Sequence, residues 1–530
     1  MMFAESSCEA SPESKNKLIM NRRIYKTGLA VALIAALSML PFLGMTEFHT
    51  KGEPREAIVA MTMLQDGNWI LPMNNGGEMA YKPPLLHWCI ALLYFITGHT
   101  NEYLSRLPSA LAFIALIVST FFFFTRHGGW KKGLLTALLA MTAFELHRAG
   151  NVCRVDMLLT TFIVTALYSF YNWFSRQCRG WPLWAVLLMS AGTLTKGPVA
   201  IILPTMVTGA YLLLFRRSVG AILKVAVCSV LALLLPALWY WAAYQRGGEA
   251  FMALVMEENV GRFTGQMTYS SHEKPIWYNF LTLAWGWLPW TALFVGSLFA
   301  LPKGTFTYDR FKERLAKWRQ LHPSITCFSW LSFLLILLFY CIPTSKRSTY
   351  LLPCYPFMAF LLAEYLFFFK RKLSERRGRK IVAALSWKNM RRTFVAVVVL
   401  YMVADGIVVP AVVKQKYDRP LAEFIATTFP DDTIYSHLSD PYMHFFCTNF
   451  YLHDRIRPFT AVQQTIVQKQ NKTTATPESG VLMVAEKDLD DFMSKHGQGY
   501  QLDLVGQTPK PMTERRSVIR FYRFKKLSTK

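Results

Sequence analysis

Long apolar segments separated by short polar ones occupy the chain from residue 27 to residue 413. Eleven of them are long enough to cross, or nearly cross, a lipid bilayer, and they lie at 27–45, 104–125, 133–147, 157–175, 181–195, 198–215, 220–243, 278–301, 325–343, 348–369 and 393–413. A twelfth segment, 83–98, is shorter, begins with two prolines and contains His87. This pattern predicts an all-α polytopic membrane domain of about 11–13 transmembrane helices.

The pattern changes on both sides of this domain. Residues 1–26 are polar and carry five Lys or Arg residues, which predicts a cytoplasmic N-terminal tail. After residue 413, short apolar runs at 433–438, 480–485 and 518–524 alternate with polar helical stretches such as 488–496. This alternation predicts a small α/β domain over residues 414–530, with a flexible loop at 463–480.

The amino-acid composition is typical of a membrane protein, and the distribution of Lys and Arg predicts its orientation in the membrane. Hydrophobic residues make up 53% of the chain and the net charge is +25, which by itself also fits a nucleic-acid-binding protein. If the N-terminus is inside and segment 83–98 lies along the outer interface, 29 of the Lys and Arg residues up to residue 413 face the cytoplasm and 12 face outward. Basic residues favour the cytoplasmic side of membrane proteins. We therefore predict eleven spans, an outer C-terminus and no nucleic-acid partner.

The ionisable residues that remain in the predicted outer loops are few, and most lie next to span ends. Acids there are candidates for a general base, and Lys or Arg for holding an anionic group such as a phosphate. Each also has a simpler interpretation, because basic residues at span ends commonly serve as interfacial anchors. Lys196 is the best candidate, since the turn that carries it is too short to reach water. The nine cysteines show no CxxC motif and no metal-ligand spacing, so neither disulfides nor a metal site are predicted.

Several motifs in these loops occur in an order that resembles a known family. In sequence order they read Gly52-Glu53-Pro54-Arg55, Tyr81-Lys82-Pro83-Pro84, Arg106-Leu107-Pro108, Arg154-Val155-Asp156, Thr195-Lys196-Gly197-Pro198 and Ser345-Lys346 followed by Tyr350. They resemble the GT-C glycosyltransferases that use polyprenyl-phosphate sugars, in particular the lipid A aminoarabinose transferase and the protein O-mannosyltransferases. The resemblance covers about the first 360 residues. It implies a GT-C membrane domain with juxtamembrane helices in the first outer loop and a periplasmic C-terminal domain.

The resemblance implies roles for eight residues. Two acids would be catalytic, and six residues would bind the lipid phosphate or the sugar: Glu53 and Asp156 are the acids, and Arg55, Lys82, Lys196, Arg262, Lys346 and Tyr350 are the others. The family usually has an acid where this chain has Gly52, so the general base is either Glu53 or Asp156. Glu257 stands where the lipid A enzymes commonly have a histidine, and the ligand spacing supports no divalent cation or other cofactor.

The expected activity is transfer of a sugar from an undecaprenyl-phosphate-type donor, in a bacterial inner membrane, to lipid A or to another envelope glycan or protein at the periplasmic face. Membrane lipids are the remaining expected partners. Two alternatives stay open: an enzyme resembling the protein O-mannosyltransferases, and a transporter or flippase of a lipid-linked sugar. The second alternative would favour paired halves with broken helices, and no internal repeat is visible in the sequence.

Overall fold

The structure is a computed structural model that describes residues 12–50, 52–216, 218–265, 273–299, 324–374, 386–414, 417–438, 445–460, 477–509 and 517–527. The first part of the chain is helical, and its helices are α1 (Pro12–Leu37), α2 (Glu53–Gln65), α3 (Leu85–Thr97), α4 (Glu102–Gly128), α5 (Trp130–Met141), α6 (Phe144–Gly150), α7 (Val155–Ser175), α8 (Leu183–Lys196), α9 (Val199–Tyr211), α10 (Val219–Leu231), α11 (Leu234–Met256), α12 (Arg262–Thr264), α13 (Trp277–Gly286), α14 (Trp290–Phe299), α15 (Ile325–Cys341), α16 (Tyr355–Ser374), α17 (Trp387–Val403) and α18 (Val409–Val413). The predicted helical membrane domain is confirmed.

Among the described residues, six helical stretches are long and apolar enough to cross a membrane, judged by length and composition. They are Met20–Phe42, Glu102–Gly128, Val155–Ser175, Val219–Thr264, Ser348–Arg371 and Trp387–Val413. Four shorter apolar helices accompany them: Leu85–Thr97, Leu183–Lys196, Val199–Phe215 and Ile325–Cys341. The number of spans and the interfacial position of α3 stay predictions. The basic cluster at 303–319 and residues 375–385 of the one at 370–392 lie outside the described residues.

Several sequence boundaries differ from expectation; for example, the predicted span 278–301 contains two helices, α13 and α14. Helix α1 begins at Pro12, so part of the predicted polar tail is helical. The predicted span 133–147 is two helices, α5 and α6, which are separated at Thr142 and Ala143. The Tyr401 hydroxyl donates to the Thr142 carbonyl at 3.0 Å, and the Trp290 indole N–H donates to the Thr142 hydroxyl at 3.1 Å. These donors satisfy polar groups at the break, which an apolar surrounding would otherwise penalise.

Three acids in or near apolar segments, for which the sequence suggested no partner, are paired in the structure. Glu145 forms an ion pair with Arg148 at 2.6 Å, within α6. Glu364 pairs with Lys132, and Asp405 accepts a hydrogen bond from His147 at 2.8 Å. Charges in apolar surroundings are tolerated when they are paired, and the pairs of Glu364 and Asp405 also connect helices to one another.

The C-terminal region forms the predicted α/β domain. It contains the helices α19 (Arg419–Thr428), α20 (Phe446–Tyr451) and α21 (Leu489–His496), and the strands β3 (Ile434–His437), β4 (Ile456–Pro458), β5 (Ser479–Ala485), β6 (Tyr500–Gln507) and β7 (Ile519–Lys526). The five strands form one sheet in the order β4-β3-β5-β7-β6, in which β3 is parallel to β4 and β5, and β7 is antiparallel to β5 and β6. Apolar side chains cover both faces of this sheet. Most of the predicted loop at 463–480 lies outside the described residues.

The C-terminal domain is packed against the loop between α1 and α4, which also contains the two-stranded hairpin β1 (Met73–Asn74) and β2 (Glu78–Met79). Phe450 of α20 lies within the apolar core formed by α2 and α3, and its ring meets Phe48 edge to face at 4.9 Å. Arg419 pairs with Glu102 at the start of α4 at 3.3 Å. We call this end of the helical bundle, where the loop and the C-terminal domain meet, the loop end.

Candidate functional site

A cavity of about 640 Å³ opens at the loop end of the bundle. The hairpin and α2, the starts of α3 and α7, the α8–α9 turn, the segment after α11 and the α15–α16 connection all contribute to its wall. Its volume is in the range of small-molecule sites. Six of the eight residues predicted for the site line this cavity: Arg55, Lys82, Asp156, Lys196, Arg262 and Tyr350.

A charge network around Glu56 forms one side of the cavity. Glu56 lies in the first turn of α2, where Pro54 follows the first helical residue and acids are favoured by the helix dipole. Its carboxylate pairs with Lys82, accepts a hydrogen bond from His87 Nε2 at 2.8 Å and lies 3.4 Å from Arg55. Burial disfavours this carboxylate, but Lys82, His87 and Arg55 outweigh burial and hold the pKa of Glu56 well below its usual range.

Lys82 projects into the same network from the turn before α3. Pro83 and Pro84 follow it directly, so the chain direction at the start of α3 is restricted. Burial disfavours the ammonium group and Arg55 repels it, whereas Glu56 partly compensates, and together these effects lower the pKa of Lys82 to about 8. Lys82 is therefore a cation whose charge is sensitive to pH near neutrality.

Asp156 and Lys196 form a second pair in the cavity lining. Asp156 lies in the first turn of α7, and Lys196 is the last residue of α8. Both positions suit the helix dipole, which favours acids at N-termini and bases at C-termini. Their side chains form an ion pair, and Lys196 Nζ also lies 4.7 Å from the centre of the Tyr350 ring. As the sequence predicted, the turn after Lys196 is minimal, because Gly197 with φ 103° leads directly into α9.

A third pair comes from the segment after α11. Arg262 donates to Glu258 at 2.5 Å, one helical turn earlier, and both line the cavity. Arg154 and Arg347 also line it. Within the described residues the cavity wall thus alternates basic and acidic groups, which is suited to a ligand that carries both a phosphate and hydroxyl groups.

Two predicted residues lie outside the cavity lining. Glu53 is fully buried, and its carboxylate accepts from Arg106 Nε at 2.8 Å and from the Cys153 amide at 3.2 Å. Arg106 in turn donates to the carbonyls of Leu43 and Thr46, so this pair organises the loop after α1. Lys346 is buried and its ammonium donates to the Pro343 carbonyl. Both residues therefore stabilise the loops that carry the site and do not themselves line the cavity.

The structure also brings in residues that the sequence did not single out. Glu56 and His87 are in the network described above, and Phe446 reaches the cavity from the C-terminal domain. Arg154 packs over Gly52, and its guanidinium group occupies the place that a Cβ atom at residue 52 would need. Gly52, where the resembled family has an acid, is therefore adjacent to a cation. Only glycine leaves room for such a close approach, so the glycine at position 52 was the feature of the sequence that could have predicted it.

Among the described residues, no group of three or more His, Cys, Asp or Glu side chains is arranged to hold a metal ion. The residues that line the cavity support binding of an anionic group by cations, with a carboxylate nearby to orient or deprotonate a hydroxyl group.

Sequence comparison identifies similar proteins. Residues 81–241 match the family described as dolichyl-phosphate-mannose-protein mannosyltransferase. An uncharacterised protein from Aquifex aeolicus is 30% identical over 326 residues, which are 61% of this chain and 60% of that protein. The undecaprenyl phosphate-alpha-4-amino-4-deoxy-L-arabinose arabinosyl transferase of Pectobacterium carotovorum is 26% identical over 397 residues, which are 73% of this chain and 66% of that enzyme. The chain thus matches less than two thirds of the length of these relatives.

Comparison of structures extends the similarity to nearly the whole chain. The structure of ArnT from Cupriavidus metallidurans bound to undecaprenyl phosphate aligns with a TM-score of 0.65 at 19% identity, over 93% of this chain and 97% of ArnT. The archaeal oligosaccharyltransferase AglB from Archaeoglobus fulgidus aligns with a TM-score of 0.51 at 12% identity, over 94% and 74% of the two chains. At these identities the alignments establish the fold.

The resemblance predicted from the loop motifs is confirmed: the chain is a multi-pass membrane protein with a GT-C glycosyltransferase fold, similar in sequence to the polyprenyl-phosphate-dependent aminoarabinose transferases and protein mannosyltransferases.

Proposed function

We propose that this protein is an inner-membrane glycosyltransferase that moves a sugar from a polyprenyl-phosphate donor to a lipid A-type or other envelope acceptor at the periplasmic face. One observation carries the proposal. A single cavity collects Arg55, Lys82, Lys196 and Arg262 next to Asp156 at the loop end of a GT-C fold. The similarity to enzymes whose names specify an undecaprenyl-phosphate sugar supports this choice of donor.

The donor phosphate is held by the cations of the Glu56 side. Arg55 and Lys82 converge there, and Arg262 reaches the same cavity from the segment after α11. In a direct displacement the acceptor oxygen forms a bond to the anomeric carbon, and the bond from that carbon to the phosphate oxygen breaks. Polyprenyl phosphate leaves with the bonding electrons, and these cations stabilise the negative charge that accumulates on it.

Asp156 serves the acceptor in this proposal. It lines the cavity, whereas the other predicted acid, Glu53, is buried against Arg106. The Asp156 carboxylate accepts the proton of an attacking hydroxyl group, or orients that group when the acceptor is a phosphate that needs no deprotonation. Lys196 pairs with Asp156 and lies over Tyr350, so it fixes the direction of the carboxylate. Glu53 acts as a positioning residue for the loop.

The family match over residues 81–241 supports a second candidate for the acceptor, a protein hydroxyl group. Both acceptors can be tested with purified protein reconstituted in lipid nanodiscs and supplied with a polyprenyl-phosphate sugar. We expect release of polyprenyl phosphate that depends on adding lipid A, and much slower release with a peptide rich in Ser and Thr. Faster release with the peptide would favour the protein acceptor, and no release with any acceptor would exclude the enzyme.

The same assay tests the role of Asp156. We expect Asp156→Asn to lower turnover about 100-fold, as is typical for loss of a general base, while Asp431→Asn, an exposed acid of the C-terminal domain, leaves turnover unchanged. Equal turnover in Asp156→Asn and the unaltered protein would remove Asp156 from the reaction.

A further inference from the structure

A second cavity, of about 590 Å³, lies far from the first one along the helical bundle. It is formed by the last turns of α4 and α7, by the turn that follows α7 and by the start of α8. Three arginines line it, Arg126, Arg176 and Arg179, and its lining residues include no carboxylate. Ser119, Thr165, Ser169 and Asn172 add polar groups. The cavity therefore has the composition of an anion site.

The length of α7 gives the separation between the two cavities. Asp156, in the first turn of α7, lines the first cavity, and Arg176, which caps its other end, lines the second. Twenty residues of α-helix span about 30 Å. This is about the thickness of the hydrocarbon core of a bilayer. The two cavities thus lie at the levels of opposite leaflets.

The arginines of the second cavity differ from ordinary interfacial anchors. Within the described part of the chain, none of the three takes part in an ion pair. Two other basic residues at this end are occupied: Lys132 pairs with Glu364, and Lys224 donates to the Cys178 and Gly180 carbonyls at 3.4 Å. An anchor extends singly toward water, whereas these three arginines, although exposed, line one common cavity.

The turn that presents two of these arginines has an unusual backbone. Gln177 and Cys178 both have positive φ, 55° and 56°, and Gly180 has φ 68°. Non-glycine residues rarely adopt this region, and such strain is found at ligand clamps and other functional sites. The Trp173 indole N–H donates to the Gly180 carbonyl at 3.2 Å and holds the turn to α7. The turn keeps Arg176 and Arg179 on the cavity side at a cost in backbone energy.

An exposed apolar surface adjoins the arginines. Trp181 and Trp184 line the cavity and are 50% and 74% exposed, and Leu183 and Leu187 of α8 are 61% and 59% exposed. Tryptophan favours the headgroup level of a bilayer, and exposed leucines along the helix suit acyl chains. A ligand with a phosphate and two apolar tails fits both surfaces, whereas a free anion would use only the arginines.

We propose that this second cavity binds the phosphate of an anionic phospholipid, in the leaflet opposite to the one that the first cavity faces. The arginines bind the phosphate through charge-assisted hydrogen bonds, and the acyl chains lie along α8. Basic pockets between membrane helices on the cytoplasmic side are known to take such headgroups. The proposal does not rest on the proposed glycosyl transfer, because it concerns residues that take no part in the first cavity.

The test uses the full-length protein in a neutral detergent, titrated with phosphatidylglycerol, with phosphatidylcholine or with inorganic phosphate, and followed by its thermal unfolding. A ligand that binds only the folded state raises the unfolding temperature in a saturable way. We expect saturable stabilisation by phosphatidylglycerol alone. In the variant Arg126→Gln/Arg176→Gln/Arg179→Gln, the half-saturating concentration should rise at least about tenfold.

The matched control removes three exposed cations at the same end but outside the cavity, as Arg22→Gln/Lys26→Gln/Lys131→Gln. It should titrate like the unaltered protein. An equal loss in the control would assign the effect to general surface charge, and equal stabilisation by inorganic phosphate would assign it to a free anion; either result overturns the proposal. If the triple variant does not fold, Arg176→Gln alone must still weaken phosphatidylglycerol binding, counted by native mass spectrometry, for the proposal to stand.

Discussion

At the scale of single residues, each of the four predicted cations that line the first cavity is paired with an acid. Glu56 is shared by Arg55, Lys82 and His87, and Asp156 is paired with Lys196. A buried cation without a partner would lose its proton or destabilise the fold. An incoming phosphate can replace the carboxylate as the partner, so the empty site stays folded and remains able to bind an anion.

Lys82 provides the sharpest prediction at this scale. Its pKa is lowered to about 8, so the ammonium form is complete below that pH and is lost as the pH rises through it. Since kcat/KM reports the free enzyme, we expect kcat/KM to fall above about pH 8. Lys82→Arg should remove this decline, because a guanidinium stays protonated. Lys82→Ala should lower turnover about 10- to 100-fold at pH 7, the value of one charge-assisted contact.

The measurement is turnover per folded molecule across pH 6–10 for the three proteins, with Lys274→Ala as an exposed control cation. Near-normal turnover in Lys82→Ala, or an equal loss in Lys274→Ala, would make Lys82 a structural anchor.

At the scale of elements, the C-terminal domain holds one wall of the first cavity in place. Asn75, at the tip of the hairpin, lines the cavity. Its backbone N–H donates to the Asp454 carboxylate at 3.0 Å, and its side-chain oxygen accepts from Asn449 at 3.1 Å. Arg457 packs against Gly76 of the same hairpin, which has φ 76°. The domain therefore positions the hairpin in addition to supplying Phe446.

This contact should depend on pH. Burial raises the pKa of Asp454 to about 7, with hydrogen bonds from Asn75 and Asn449 opposing and the charges of Asp66 and Glu78 adding to the rise. The folded protein thus holds a proton on Asp454 that the unfolded chain, with a pKa near 3.9, has released. Stability from this group therefore falls as pH rises from about 4 to about 7 and is level above that.

The variant Asp454→Asn should lack this decline. We therefore expect the difference in unfolding temperature between Asp454→Asn and the unaltered protein to shift in favour of the variant when the pH is raised from 4.5 to 7.5. The shift should correspond to about 1 kcal/mol of unfolding free energy after allowance for solvent screening. Asp431→Asn, at an exposed site of the same domain, serves as the control. Parallel pH curves for Asp454→Asn and the unaltered protein would show that this carboxylate does not titrate between those values.

At the scale of the whole molecule, the two ends of the helical bundle differ in how their basic residues are paired. The first cavity and the C-terminal domain lie at the loop end, where cations are paired with acids. The second cavity lies at the other end of α4 and α7, and its three arginines are without acids among the described residues that line it. Because basic residues in excess favour the cytoplasmic side, this asymmetry predicts which end faces which compartment.

Single cysteines placed in a cysteine-free variant can test this orientation. We expect a membrane-impermeant maleimide, added to intact spheroplasts, to label a cysteine at Lys414 but not one at Lys131 until the membrane is opened. Both positions are exposed. Labelling of both from the same side would contradict the eleven-span arrangement with an outer C-terminal domain.

The class of architecture follows from the amino-acid sequence alone. Apolar length, the placement of basic residues and the alternation after residue 413 are local properties, and a bilayer sorts segments by such properties without reference to their neighbours. The family resemblance of short motifs at segment ends predicted six residues of the first cavity, and two of them, Asp156 and Lys196, are placed by the ends of their own helices.

Which acids face the cavity depends on how the helices pack against one another. Glu53 and Glu56 both lie in the first turn of α2, about 60° apart around the helix. The rotation of α2 against α4 directs Glu53 to Arg106 and leaves Glu56 with Lys82 and His87. Likewise, Asn75 gains its role from Asp454, 379 residues away in sequence. Such pairings depend on how elements pack, and no pattern along a single chain encodes them locally.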